Sequence, residues 1–338
     1  MAQSMRAWQA AQPGAFKQTL KLHDDVPRPS EAELKDGQVL VEVARAGLNP
    51  ADYKVCEIGL ASRAITSFPK TPGMDLSGHV VAVAQGVTDV KAGDAVIGRA
   101  NPKQSPGSLG QFLVLDRDAY APLPAGFDLE QAAGAPTVAL TAYQCIAPYV
   151  KPGDKVFVNG GSGGVGLSNI QVAKALGCHI TVTCSTGKAD LCKGFGADDV
   201  IDYRKEDVLA ELRKRGQVFS LCVDNVGDSP SNLYASCGSF LLPGSKFVFV
   251  GGHVSAASMG SILKTRLLPS FLGGGSHQFV FFLTENKRKD LETVRDWMAE
   301  GKLKVNVDST YSFEEADKAI EHVRKGAAGK VLVRVQEK

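Results

Sequence analysis

The stretch "VNGGSGGVGLSNIQVAKALG" (158–177) constrains this chain more than any other. An apolar strand runs into glycines and resumes as a helix, with Gly161, Gly163 and Gly166 at G-x-G-x-x-G spacing. In such a turn the first glycine permits the tight bend, the second lets the backbone approach a pyrophosphate, and the third lets the helix pack on the strand. Ser162, Gly164 and Val165 fill the rest of the loop. The helix N-terminus then offers unpaired N–H groups and a positive dipole end to phosphates. In this strand–turn–helix setting the motif predicts a dinucleotide site.

The second strand of such a unit usually ends, about 20 residues on, in an acid that accepts from the adenine ribose 2′-OH. Here that strand ends "VTCSTGKAD", which puts Ser185, Thr186 and Lys188 where the acid would stand. A carboxylate repels a 2′-phosphate, whereas a hydroxyl and an ammonium bind and neutralise it. The expected cofactor is therefore NADPH. Tyr203, in "IDYR" at the end of the next strand, reads either as a further donor to that phosphate or as an ordinary half-buried strand tyrosine.

Around this turn the chain changes texture. Up to about residue 126 it consists of short β-rich runs cut by Gly and Pro, among them "QVLVEVARAG", "GHVVAVAQGV", "DAVIGRA" and "GQFLVLD", the pattern of a small barrel. From about 127, apolar strands alternate with helical segments, which predicts a parallel sheet covered on both faces, a Rossmann-type domain. The tail supplies two amphipathic helices and a last strand, "GKVLVRV", that can rejoin the barrel. The expected domains are 1–126 with 284–338, and 127–283.

Composition excludes several function classes. The formal net charge is only +2, so no nucleic-acid footprint is expected. The N-terminal residues lack a signal-peptide core, and no run of about 18 apolar residues occurs, so the expected location is cytoplasmic, off the membrane. The seven cysteines form no C-x-x-C pair and fall mostly in apolar segments, which reads as reduced core thiols.

"GLNPADYK", "PGMDLSGHVVAVAQGV", "LTAYQ", "NGGSGGVG", "FGADDVIDY" and "GKVLV", in that order, resemble the medium-chain dehydrogenase/reductase superfamily, and within it the zinc-free quinone and enone oxidoreductases. The resemblance runs nearly end to end and implies an α/β architecture: a Rossmann-type parallel-sheet domain plus a GroES-like β-barrel catalytic domain. It also bears on metal content. The zinc enzymes carry a Cys ligand where this chain has "GLNPAD" and Gly-His-Glu where it has Gly73, Met74 and Asp75, and "GRANPKQSPGSLGQ" holds no structural-zinc cysteines. No metal is expected, and His79, in the next apolar strand, reads as structural.

The resemblance further implies reduction of an α,β-unsaturated carbonyl or a quinone by NADPH. Asn49 would lie near the nicotinamide ribose. Lys54 matches the lysine of the enone reductases' N-P-x-D-x-K and would stabilise the enolate; Tyr53, or cofactor and solvent alone, could take that role instead. Asp52 reads as a turn residue holding this loop. Thr141, Asn225, Gly251 and Phe281 would face the nicotinamide, and Lys330 reads as a phosphate contact or a solvated turn lysine. Alternatives are an enoyl-thioester reductase and a non-catalytic cofactor-binding protein. The expected partner is a small enone or quinone, with pocket loops at 56–68 and 252–278, and the family favours homodimers.

Overall fold

The computed structural model describes residues 3–227, 229–230, 233–251 and 277–336. They group into two compact units, Met1–Leu140 with Glu285–Lys338, and Thr141–Thr284. The first unit is discontinuous, and it takes residues 127–140. Helix Leu129–Gly134 packs there because its backbone lies against β3 (Val39–Gly47): a Cβ on Gly47 would stand 2.2 Å from the Ala133 carbonyl oxygen. Apolar helical periodicity near 130 carries no information about which unit it covers.

The first unit is built on a seven-stranded sheet. Its order is β14 (Val307–Ser312), β15 (Lys330–Arg334), β3, β4 (Asp75–Val83), β5 (Ala95–Arg99), β7 (Tyr120–Pro122), with β6 (Phe112–Leu115) also paired to β3. The closing strand read from "GKVLVRV" is β15, antiparallel to β3, so the tail does return to the first sheet. A separate hairpin joins β1 (Ser4–Ala10) and β2 (Leu20–Pro27). Val39, Val41, Val43, Leu76, Val96, Leu113, Val331 and Val333 form one buried cluster; alternate residues of a strand share a face, which puts the Val39–Val43 run of β3 on a single core. Trp8 joins it with its polar end satisfied, its Nε1–H donating to the Phe313 carbonyl at 2.7 Å.

Helix Ala316–Lys325 shows how sequence dictates this packing. Ala316, Ala319, Ile320 and Val323 recur at helical spacing and lie on the core, while His322, Arg324 and Lys325 occupy the last turn, where the helix dipole favours cations. Gly326 ends it at φ +93°, a left-handed conformation that suits glycine.

The second unit is a six-stranded parallel sheet in the order β10 (Asp199–Asp202), β9 (His179–Cys184), β8 (Lys155–Asn159), β11 (Phe219–Asp224), β12 (Leu241–Phe249), β13 (Gln278–Phe281). This is the Rossmann strand order, with its reversal point between β8 and β11. Phe157, Phe219 and Phe240 meet in tilted and edge-on pairs in its core. Helix Val208–Arg215 is capped by Asp207, whose carboxylate accepts from the Leu209 and Ala210 N–H groups. All seven cysteines are buried free thiols, as their apolar settings predict. Among the described residues, no helix is long and apolar enough to cross a membrane.

Candidate active site

At the reversal point of the parallel sheet, three strands carry buried polar side chains at or next to their ends. The Thr183 hydroxyl donates to Asn159 Oδ1 at 2.7 Å, and Asn159 Nδ2 donates to Asp224 Oδ1 at 2.9 Å. Thr183 also holds the glycine turn, accepting from the Gly160 N–H through its hydroxyl and from the Gly161 N–H through its carbonyl, both at 2.8 Å. Sequence reasoning passed over these three residues. Their signal is a polar residue at or next to the end of each strand, in "VFVN", "TVTC" and "LCVD".

The glycines divide their labour somewhat differently from the motif's usual account. Gly160, at φ +85°, makes the tight bend, whereas Gly161 is required because a Cβ there would stand 2.6 Å from Val182. Gly163 is open, with nothing within 4 Å of the position a Cβ would take, and it caps helix Gly164–Ala175. Gly166 lets that helix seat on the turn: a Cβ would meet the Gly160 carbonyl oxygen at 2.2 Å. Ser162, Gly164 and Val165 are half-buried, so an accessible helix N-terminus faces away from the sheet core. Asn225 lies alongside, its Nδ2 donating to Asn169 Oδ1 at 2.9 Å while its own Oδ1 is buried without a partner. An unpaired buried acceptor costs about 1–3 kcal/mol, so a ligand amide donor fits there. The open Gly163 and this orphaned acceptor both suit a dinucleotide.

Ser185 and Lys188, both half-buried, lie in the turn after β9, and Tyr203, 50% exposed, follows the neighbouring β10. An acid does stand nearby. Asp202, at the end of β10, accepts from the Thr186 hydroxyl at 2.5 Å and from the Arg204 N–H at 3.0 Å, and the Thr186 bond foremost holds it below the usual carboxylate range. Thr186 is thereby committed to Asp202, leaving Ser185, Lys188 and Tyr203 as the groups available to an anion. Elsewhere in this unit, the buried Thr141 hydroxyl pairs with that of Thr284 at 2.6 Å, Gly251 follows β12, and Phe281, 59% exposed, stacks on Phe249. Residues 252–276 of the second expected pocket loop lie outside the described residues.

The first unit holds a second polar cluster. Asp75 is wholly buried and both its oxygens are saturated: Oδ1 accepts from the Thr137 N–H (2.9 Å) and hydroxyl (2.6 Å), and Oδ2 from Asn49 Nδ2 (2.9 Å) and Lys330 Nζ (3.1 Å). Lys330 is 5% exposed and also donates to the Leu48 carbonyl and to Asn49 Oδ1. That corrects both readings of this lysine: with its three N–H bonds spent internally it is neither solvated nor free for a phosphate. Asn49 is likewise fixed from both ends of its amide.

This cluster does not fit zinc. Arg99 places its guanidinium against Met74, Nη2 to Sδ at 3.8 Å, while bonding Thr137 and Asn286 with its other nitrogens. A cation therefore occupies the neighbourhood of the residue that would have to be a ligand, and Asp75 has no lone pair to spare. Among the described residues, no group of three His, Cys, Asp or Glu side chains is placed to hold a metal ion. His79 lies within β4, opposite Glu42 of β3.

Helix Pro50–Glu57 carries the remaining candidates. Its first turn is set by Pro50 and by Asp52, whose Oδ2 accepts the Asn49 N–H at 2.7 Å. Lys54 is exposed. Tyr53, one position earlier and so about 100° round the helix, is buried in the core with the Arg324 guanidinium 4.3 Å over its ring. Arg324 in turn makes a two-pronged pair with Glu57 at 2.7 and 2.8 Å. Of the two candidate donors, only Lys54 stands in solvent reach with its charge uncommitted.

Comparison with known proteins adds to this geometry. A model described as "Alcohol dehydrogenase GroES-like domain" matches residues 35–125, and one described as "Zinc-binding dehydrogenase" matches 195–333. A trans-enoyl reductase, pgmF, of Aspergillus terreus is 42% identical over 99% of this chain and 97% of its own. A 2-methylene-furan-3-one reductase of Solanum lycopersicum is 30% identical over 97% and 79%. The solved quinone oxidoreductase of Coxiella burnetii superposes with a TM-score of 0.83 at 28% identity, covering 99% of this chain and 100% of that one.

The glycine geometry separates binding from folding. Gly163→Ala, with open space at the Cβ, should fold with unchanged stability yet bind the dinucleotide at least about tenfold more weakly, roughly 1.4 kcal/mol. Gly166→Ala, with backbone in the way, should lose about 1–3 kcal/mol of stability. Urea denaturation beside cofactor fluorescence titration checks both; equal destabilisation by the two variants would contradict this division.

Proposed function

The chain belongs to the medium-chain dehydrogenase/reductase superfamily of oxidoreductases, in its quinone oxidoreductase and trans-enoyl reductase branch, and on that premise we propose that it is an NADPH-dependent reductase of a double bond conjugated to a carbonyl, as in an enone or quinone, working without a catalytic metal. The observation that carries this reading is Arg99 against Met74, beside an Asp75 with every lone pair engaged. Reduction at a carbonyl there could not draw on a Lewis acid held by these residues. Conjugate reduction needs only a donor where negative charge collects on the carbonyl oxygen.

In this reading Gly161, Ser162, Gly163, Gly164, Val165 and Gly166 hold the pyrophosphate, and Ser185, Lys188 and Tyr203 the 2′-phosphate. Thr141, Asn225, Gly251 and Phe281 line the nicotinamide, and Asn49 its ribose. NADPH supplies the hydride when bound. Lys54 would meet the carbonyl oxygen, its ammonium stabilising the enolate charge and giving it a proton that solvent then restores to the lysine. Tyr53, packed under Arg324, serves the fold of that helix instead. The homodimer the family favours would use an edge of the parallel sheet, such as that of β13.

An enoyl thioester as acceptor is the second reading, supported by the whole-length similarity to a protein named a trans-enoyl reductase. Turnover of a panel of enones, quinones and crotonyl thioesters separates the two readings. NADPH binding with no acceptor reduced would leave a non-catalytic role.

Cofactor choice is tested at Lys188. Wild type should favour NADPH over NADH by at least about tenfold, and Lys188→Ala should erase most of that preference by weakening NADPH alone. Equal binding of both cofactors by wild type would remove the 2′-phosphate assignment.

Lys54→Ala should lower kcat for the best acceptor by about ten- to a hundredfold while leaving NADPH affinity nearly intact, because the charge is needed in the transition state. The loss should fall short of the roughly 10² to 10³ seen for a donor in a sealed site, since Lys54 is exposed and water can partly replace it. Steady-state kinetics of Lys54→Ala and Tyr53→Phe check this; an undiminished kcat in the lysine variant would hand the proton step to cofactor and solvent.

A further inference from the structure

One acid joins the two turns that carry Ser185, Lys188 and Tyr203. Asp202 closes β10 directly beside Cys184 at the close of β9, and the Tyr203 N–H donates to the Cys184 carbonyl at 3.2 Å. The two carboxylate oxygens serve different turns. Oδ1 accepts the Arg204 N–H at 3.0 Å, and the Asp202 main-chain carbonyl accepts the Lys205 and Glu206 N–H groups, both at 2.9 Å, so this residue shapes the turn that carries Tyr203. Oδ2 accepts the Thr186 hydroxyl at 2.5 Å, with Lys205 Nζ at 4.0 Å, and Thr186 opens the short turn Thr186–Lys188 that follows Ser185.

A bare carboxylate in this neighbourhood would repel a 2′-phosphate and accept from a free ribose 2′-OH instead. Asp202 is instead bonded to the protein on both oxygens. We propose that Asp202 is a positioning residue for cofactor choice: through the Thr186 hydroxyl it clips the Ser185–Lys188 turn to the turn of Tyr203, so that the acid able to favour a free 2′-hydroxyl is used to set the groups that hold a 2′-phosphate. This rests on the reading of Ser185, Lys188 and Tyr203 as the 2′-phosphate contacts. Every residue concerned lies in the parallel-sheet unit, so the role needs nothing from the other one.

The clip matters because little else restrains this turn. Thr186 and Gly187 are exposed, the glycine adds backbone freedom, and within the turn the Lys188 N–H donates to the Ser185 carbonyl at 2.8 Å. Fixing Thr186 fixes the backbone next to Ser185 and two residues before Lys188. That lowers the ordering cost that a 2′-phosphate would otherwise meet on binding, and a ligand without that phosphate does not call on these side chains.

The test isolates the adenosine end of the cofactor. Adenosine 2′,5′-bisphosphate carries the 2′-phosphate and adenosine 5′-phosphate lacks it; calorimetric titration gives the ratio of their affinities for wild type, Thr186→Val and Thr186→Ser. Valine keeps the shape of the side chain without the hydroxyl, and serine keeps the hydroxyl. Thr186→Val should cut the ratio about fivefold, the weight of one exposed hydrogen bond, by weakening the bisphosphate while leaving adenosine 5′-phosphate within about twofold. Thr186→Ser should keep the wild-type ratio. In an Asp202→Ala background the same Thr186→Val change should move the ratio no further, because the partner is already gone.

An unchanged ratio in the valine variant, or a serine variant that behaves like it, would overturn the proposal. So would an equal loss of both ligands, which is what a merely structural bond gives, or the full loss in the Asp202→Ala background, which would put Thr186 itself on the phosphate. A wild type that binds both ligands equally would remove the 2′-phosphate assignment and the proposal with it, so the two failures are told apart.

Discussion

The first unit is organised around one buried anion. Asp75 draws together Thr137 at the start of helix Pro136–Ile146, Asn49 at the head of helix Pro50–Glu57, and Lys330 at the start of β15. Taking a carboxylate and an ammonium out of water is expensive, and the pair is tolerable because four donors saturate the one and three acceptors the other. Breaking such a pair by removing one partner typically costs about 3–5 kcal/mol. The same saturation bears on metal binding. A carboxylate with no free lone pair cannot bind a metal, and Arg99 beside Met74 adds a fixed cation where one would have been bound.

What the sequence makes legible follows from the range of the interactions involved. Strand–turn–helix succession and glycine spacing are local, so the parallel sheet and the glycine turn could be read directly, as could the return of the last strand to the first sheet. Lys330 reads as a turn lysine because it follows Gly-Ala-Ala-Gly, while its partner Asp75 is 255 residues away. Gly161 was given the bend that Gly160 makes, since the motif names spacings and the choice between them lies in φ and in Val182 of the next strand. Tyr53 and Lys54 are adjacent in sequence, and only the packing of Arg324 tells their faces apart. Residues 127–140 show an apolar helical pattern in either unit, so their place on β3 and β4 was not readable.

The two clusters differ in what they ask of a ligand. In the parallel-sheet unit, Thr183, Asn159 and Asp224 rigidify a turn whose outer face is backbone N–H, which suits phosphate and is indifferent to the substrate. The cluster around Asp75 is spent on itself. Loops and exposed side chains are the parts most free to differ between proteins with 42% identity or less.

The central claim is that reduction occurs at a carbon–carbon double bond and not at a carbonyl. NADPH carrying deuterium at its transferable position, incubated with the enzyme and an α,β-unsaturated ketone or thioester, tests it most directly, with the product read by NMR. The account predicts deuterium on the carbon β to the carbonyl, with the carbonyl retained. Deuterium on the carbonyl carbon of an unsaturated alcohol would contradict it.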